Sequence, residues 1–268
     1  MRRRTTLAFV AGGATAAIAG GAILRGRIGG RGSEAMPPDD DAMFTVLAPG
    51  GPLGFWFNGP IGRAFAKFQP ISHAGLYEVV AEMLDLQPDD ELLDIGCGPG
   101  AFLASKARHV RRVVGLDPSR TMLREAEQRL ADRLAGGTAR LVPASSAVLP
   151  FNDGEFSAAT AITAPANLAE VFRVLRPGGR FVFVDELNPD PRKPSSERTA
   201  GPPWNWTEAD TRRVIEDAGF VDVAVRYKPV RFLADNRIAV CRRPAAALPS
   251  RPIEGGDQRE LAASAASA

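Results

Sequence analysis

The 268-residue sequence predicts an α/β fold, a doubly wound Rossmann-like sheet of seven strands with helices on both faces. Three observations carry that expectation. Between Gly75 and Arg242, short apolar runs alternate with amphipathic stretches of helical period. The first run, Glu91 to Ile95, contains the acid Asp94 and passes into Gly96, Gly98 and Gly100 before a helical stretch. The second, Arg112 to Leu116, leads directly into Asp117.

The elements follow in order. Leu76, Val79, Val80, Met83 and Leu84 repeat at helical spacing, with Pro88 beyond the helix end. Candidate strands are Glu91 to Ile95, Arg112 to Leu116, Arg140 to Val142, Phe156 to Ile162, Arg180 to Val184, Val221 to Arg226 and Arg237 to Cys241, arranged as βαβ units around a parallel sheet. Ser119 can cap one helix whose Met122, Leu123, Ala126, Leu130 and Leu134 share a face, with Gly136 and Gly137 closing it. Thr207, with Asp210 three residues later, reads as a capping-box start for a helix that Gly219 closes.

One domain of residues 39–243 is expected, between an N-terminal segment 1–38 and a disordered tail 244–268 of Ala, Pro, Ser and Gly. Hydrophobic residues at 45% and charged residues at 24% match a globular chain rather than a disordered or multispanning one. A net charge of only +2, with arginines dispersed among acids, lacks the footprint of a nucleic-acid binder. Cys97 and Cys241 make no disulfide framework, and with His73 and His109 they make no cluster of zinc-site spacing, so an organic cofactor is expected and no metal.

Residues 7–24 form an uncharged run between Arg2, Arg3, Arg4 and the later Arg25, Arg27 and Arg31. Its Ala and Gly content makes it weaker than an ordinary spanning helix. Three readings stay open: a membrane anchor, a disordered or membrane-surface extension, and a twin-arginine export signal. Phe44, Phe55, Trp56 and Phe57 then either pack the entry segment or cover a substrate.

Glycines after the first strand let backbone turn sharply and approach a ligand, and the following helix N-terminus offers amides to an anionic group. Gly96, Gly98 and Ala101 also satisfy a dinucleotide pattern, so a nicotinamide enzyme is an alternative at this point. Asp117 sits where an acid accepts ribose hydroxyls in either kind of site. Its bland alternative is a simple helix-start residue with Pro118 and Ser119.

The strings LLDIGCGPG, VVGLDPS, LPFNDGEFSAAT and VFRVLRPGGRFVF, in that order, closely resemble the class I S-adenosylmethionine-dependent methyltransferases, especially the quinone-biosynthesis-like subgroup. The resemblance implies that Gly96, Gly98 and Gly100 line the methionine part of S-adenosyl-L-methionine, and that Asp117, with Pro118 beside it, holds the ribose. It implies that Asp94 shapes the loop and meets the methionine amino group, and that Cys97 acts through its backbone. Ser145 and Ser146 stand where many relatives have an acid for the adenine amino group; neutral hydroxyls are weaker acceptors. The connection ITAPANLAEVF after the fourth strand is shorter than the usual pattern, which favours a noncatalytic cofactor-binding protein as the rival reading.

Methyl transfer to a small-molecule acceptor is the expected activity, in a cytoplasmic protein that residues 7–24 tether to a membrane. His73 and Tyr77, four residues apart, can face the site together as catalytic candidates, or act as a capping His and a packed Tyr. Asp185 and Glu186 follow the fifth strand, placed either to touch an acceptor or as solvated loop acids. Trp204 and Trp206 lie in a Pro-rich loop that either closes over substrate or links at the surface.

Overall fold

A computed structural model describes residues 59–187, 192–199, 206–229 and 235–245. The apolar segment 7–24, Phe44, Phe55, Trp56, Phe57, Trp204 and the tail past residue 245 lie outside the described residues. Among the described residues, no helix is long and apolar enough to cross a membrane.

Two helices lead in: α1 (Gly59–Ser72) and α2 (Ala74–Leu84). The alternating part comes next as β1 (Glu91–Ile95), α3 (Ala101–Ser105), β2 (Arg112–Leu116), α4 (Arg120–Arg129), α5 (Ala131–Ala135), β3 (Ala139–Val142), β4 (Phe156–Ile162), α6 (Leu168–Val174) and β5 (Leu175–Glu186). It closes with α7 (Glu208–Asp217), β6 (Val221–Lys228) and β7 (Asn236–Arg242). These strands form one seven-stranded sheet of order β3-β2-β1-β4-β5-β7-β6.

The sheet is mixed rather than wholly parallel. β3, β2, β1, β4 and β5 run parallel, whereas β7 pairs antiparallel with β5 and β6 antiparallel with β7. Only residues 229–235 separate β6 from β7, too few for the crossover that a parallel pair needs, so these two strands return against each other. Strand β5 also starts earlier than expected, at Leu175, with Gly178 at φ +78° inside it. The helix expected from Ser119 onward divides at Leu130, whose φ of −107° and ψ of 14° leave the helical range and separate α4 from α5.

Strand residues alternate between two apolar layers, because successive side chains point to opposite faces. Leu92, Val113, Val182 and Ile238 meet Leu76, Val80 and Leu84 of α2 with Phe102 and Leu103 of α3. On the other face, Leu93, Val114, Phe181 and Ala239 meet Val171 and Val174 of α6 with Ile215 of α7. Truncating one such buried Leu to Ala costs about 2–5 kcal/mol. Both caps form: the Ser119 hydroxyl accepts from the Met122 amide, and Thr207 and Asp210 complete a reciprocal capping box. These layers hold the carboxyl ends of β1, β2 and β4 rigidly side by side, which is where open α/β sheets bind ligands.

Candidate functional site

The loop from Gly96 to Gly100 leaves β1 in a chain of left-handed turns, with φ of +70°, +53° and +72° at its three glycines. Its amides bond within the protein. Gly96 N and Cys97 N donate to Leu116 O at 2.7 and 3.0 Å, and Gly100 N donates to Cys97 O at 3.0 Å. Gly98 N donates to Asp117 Oδ2 at 2.9 Å, and Pro99 has no N–H to give. These donors fix the loop's shape. A Cβ on Gly96 would stand 2.3 Å from the Ala164 Cβ, whereas one on Gly98 would meet, among the described residues, only the Gln69 carboxamide at 3.7 Å. Cys97 is buried, its thiol pushed well up by burial, and its Sγ fills the space over Gly115 that a Cβ there would enter.

Two buried carboxylates flank this loop. Asp117 Oδ1 accepts the Ser119 amide at 2.8 Å while Oδ2 holds Gly98, so the acid after β2 clamps the loop to the neighbouring strand. Burial pushes its carboxyl up to about 6 against those two bonds. Asp94 accepts the Thr160 hydroxyl at 2.8 Å across the β1–β4 register. Burial raises it to about 7, Thr160 opposes the rise, and the nearby Asp117 charge adds to it. Each carboxyl oxygen keeps a lone pair for a further donor, so the pair can receive hydroxyl or ammonium groups.

Helix α1 covers the loop. Pro70 lies inside α1 and cannot donate to the carbonyl four residues back, so Ala66 O is left for another partner. Arg129 supplies it, donating from Nη2 to Ala66 O at 2.9 Å and from Nη1 to Pro99 O at 3.0 Å. One guanidinium thus joins the covering helix to the glycine loop. His73, just past the end of α1, and Tyr77 lie with their ring centroids 6.0 Å apart. His73 makes no capping bond with its side chain; its Nδ1 instead lies 2.8 Å from Ser72 Oγ. Burial lowers it to about 4, which leaves a neutral and weakly basic imidazole at pH 7. Tyr77 packs edge-on to Phe102, and burial together with the Asp94 charge drives its hydroxyl far above the ordinary range.

Residues 92–179 match the family described as a methyltransferase domain. Over these residues the chain is similar to the class I S-adenosylmethionine-dependent methyltransferases. Erythromycin 3''-O-methyltransferase of Saccharopolyspora erythraea is 28% identical over 200 residues, 65% of this chain and 62% of that protein. Demethylmenaquinone methyltransferase of Symbiobacterium thermophilum is 32% identical over 113 residues, 38% of this chain and 45% of that protein. The chain thus spans about half the length of these curated relatives. The solved cyclase SpnF shares the fold, with a TM-score of 0.53 at 17% identity over 64% of this chain and 82% of that one.

The methyltransferase match runs from Leu92 through Gly179, beyond the glycine loop on which a dinucleotide reading depends. Within the domain, Ser146 is buried and Ser145 exposed, the latter accepting the Ala147 amide at 3.2 Å. Pro118 is half-buried beside Asp117. Only residues 163–167 separate β4 from α6, with Thr163 at φ +51° and Asn167 capping the helix. Asp185 is not a solvated loop acid. It is buried at the end of β5, where Arg237 Nη2 donates to it at 2.8 Å and Thr211 Oγ1 at 3.3 Å. A cavity of about 300 Å³ opens between Pro70, Tyr77, Ala104 and Arg129; its lining includes neither Asp117 nor a loop glycine.

Three residues that bear on the glycine loop and its acids carry little signal in the sequence: Thr160, Arg129 and Gln69. A lone Thr inside the apolar strand FSAATAI is a detectable signal, because a buried hydroxyl needs a partner. Arg129 and Gln69 carry no such mark. Both look like solvated helix positions until α1 is placed over the loop.

Proposed function

We propose that the chain binds S-adenosyl-L-methionine on the glycine loop and transfers its methyl group to a small-molecule acceptor. The observation that carries this reading is the Asp117 clamp, an acid after β2 holding the tip of a glycine loop at the carboxyl edge of the sheet. The residues fit the cofactor in kind: left-handed glycines without a Cβ in the cleft, and acid oxygens with lone pairs for hydroxyl and ammonium donors.

In this reading Gly96, Cys97, Gly98 and Gly100 shape the methionine end through their backbone, and Asp94 faces the amino group. Asp117 and Pro118 take the ribose, and Ser145 and Ser146 flank the adenine. The sulfonium supplies the electrophile, so the chain's own work is to align a nucleophile and exclude water. The cover of α1 over the loop serves that exclusion. Burial lowers the His73 imidazole to about 4, so it is a weak base at neutral pH, and Asp94 is engaged with the amino group in this reading. The names of the macrolide and menaquinone relatives support a small organic acceptor and a quinone-like subgroup.

S-adenosyl-L-methionine is an intracellular metabolite, which supports a cytoplasmic chain, with residues 7–24 as its tether to a membrane. A cofactor-binding protein without turnover is the rival reading, favoured by the short connection of residues 163–167 where an acceptor wall would stand. Calorimetry with S-adenosyl-L-methionine, S-adenosylhomocysteine and NAD, followed by a labelled-methyl screen over quinols, macrolides and sterols, tests both. Binding of the first two and label in an acceptor is the expected result. Binding without label selects the rival, and binding of NAD alone overturns the assignment.

A further inference from the structure

Gln69 is the side chain of α1 that reaches the tip of the glycine loop. Its carboxamide atoms lie 3.7 Å from the point a Cβ on Gly98 would occupy. Its Oε1 is shielded from solvent and accepts no hydrogen bond among the described residues, although its backbone carbonyl is engaged by His73 N at 2.9 Å and Ser72 Oγ at 3.2 Å. A desolvated acceptor with no donor is unfavourable in a folded protein and marks a place where a donor belongs.

The loop cannot supply that donor. Gly96, Cys97, Gly98 and Gly100 give their N–H groups to protein acceptors, and Pro99 has none. Nor is Gln69 there by chance of a loose helix. Pro70, its neighbour, frees the Ala66 carbonyl, and Arg129 takes that carbonyl and Pro99 O together, so the turn of α1 that carries Gln69 is fastened to the loop. A ligand lying along the loop would pass beneath a fixed, unsatisfied carbonyl oxygen.

We propose that Gln69 is a cofactor-binding residue whose Oε1 accepts the α-ammonium group of the methionine end, closing over it from α1. This inference rests on the proposed binding of S-adenosyl-L-methionine and adds a contact from outside the residues 92–179 that carry the family match. Gln69 and Asp94 then hold the amino group between the covering helix and β1. Arg129 is a positioning residue in this scheme, acting through α1.

The test compares two ligands on the full chain by calorimetry: S-adenosylhomocysteine, which carries the amino-acid end, and methylthioadenosine, which lacks it. For Gln69→Leu, S-adenosylhomocysteine should weaken about tenfold to a hundredfold, the effect of one hydrogen bond to a charged group, with methylthioadenosine unchanged. Gln69→Glu keeps an acceptor in place and should hold S-adenosylhomocysteine close to the parent affinity. The readout is the ratio of two affinities in one preparation, so a reduced folded fraction cancels. Equal weakening of both ligands, or none of either, overturns the role of Gln69 while leaving the cofactor assignment standing. A parent chain that binds neither ligand overturns that assignment and this inference with it.

Discussion

The Gly98 amide donates to Asp117 Oδ2 at 2.9 Å, so the acid expected to hold ribose also shapes the loop that approaches the methionine end. Asp117→Ala removes both functions at once. Its cofactor affinity should fall by about 1–3 kcal/mol through the lost hydrogen bonds, and the ligand-free melting temperature should fall as well, since the Gly98 and Ser119 amides lose their acceptor. Calorimetry and thermal melting on the same sample check the pair. An affinity loss with no change in melting would mean that the clamp contributes nothing to the resting loop.

Gly96 and Gly98 should separate folding from binding. A methyl group at Gly96 collides with Ala164 at 2.3 Å, a contact between backbone-anchored atoms that cannot relax cheaply, so Gly96→Ala should lower stability even without ligand. At Gly98 there is room, but φ is +53° and a branched side chain would enter the ligand's path. Gly98→Val should therefore keep a cooperative melt and lose cofactor binding. Equal melting losses in the two variants would contradict this division.

The two buried acids make stability depend on pH in a fixed direction. Asp94 holds its proton up to about 7 in the folded chain against an ordinary value of 3.8, and Asp117 up to about 6, so the folded state binds more protons than the unfolded state between those limits. Stability from these groups is full below 3.8 and is lost as pH rises through 6 and 7. His73 acts oppositely below 6.5, because its folded value drops to about 4. Above that crossover Asp94 dominates. The parent should melt higher at about pH 6.5 than at pH 8, and Asp94→Asn should flatten that difference. A variant that retains the parent's slope would assign it to other groups.

Much of this architecture was legible because strand signals are local. The apolar runs Glu91–Ile95, Arg112–Leu116 and Phe156–Ile162 appear with the bounds read from sequence, the cap at Ser119 forms, and Thr207 forms its capping box with the expected Asp210. The break at Leu130 was not legible, because Leu134 keeps the helical spacing of the face on both sides of it. At the site, the glycines and Asp117 announced themselves by position, but their mutual bond depends on two strand ends meeting, which no spacing reveals. Asp185 shows the same limit. Nothing next to it in sequence foretells Arg237, which arrives from β7 through the antiparallel register and buries the charge as an ion pair.

The N-terminal segment pulls localisation in two directions, and truncation resolves them. A chain that consumes S-adenosyl-L-methionine needs an intracellular supply, whereas an uncharged run behind three arginines ordinarily directs the downstream polypeptide toward or across a membrane. Both are met if residues 7–24 lie on or in the membrane while the domain stays on the cytoplasmic side. The two core layers on either face of the sheet are built from residues 76 onward, and the glycine loop, its acids and its cover lie within residues 59–167. A chain beginning at Asp39 should accordingly fold and bind cofactor like the full chain. Fractionation should place the full chain with membranes and the shortened one in the soluble fraction. A full chain found wholly soluble would reduce the first thirty-eight residues to an inert extension, and a shortened chain that fails to fold would make them part of the domain.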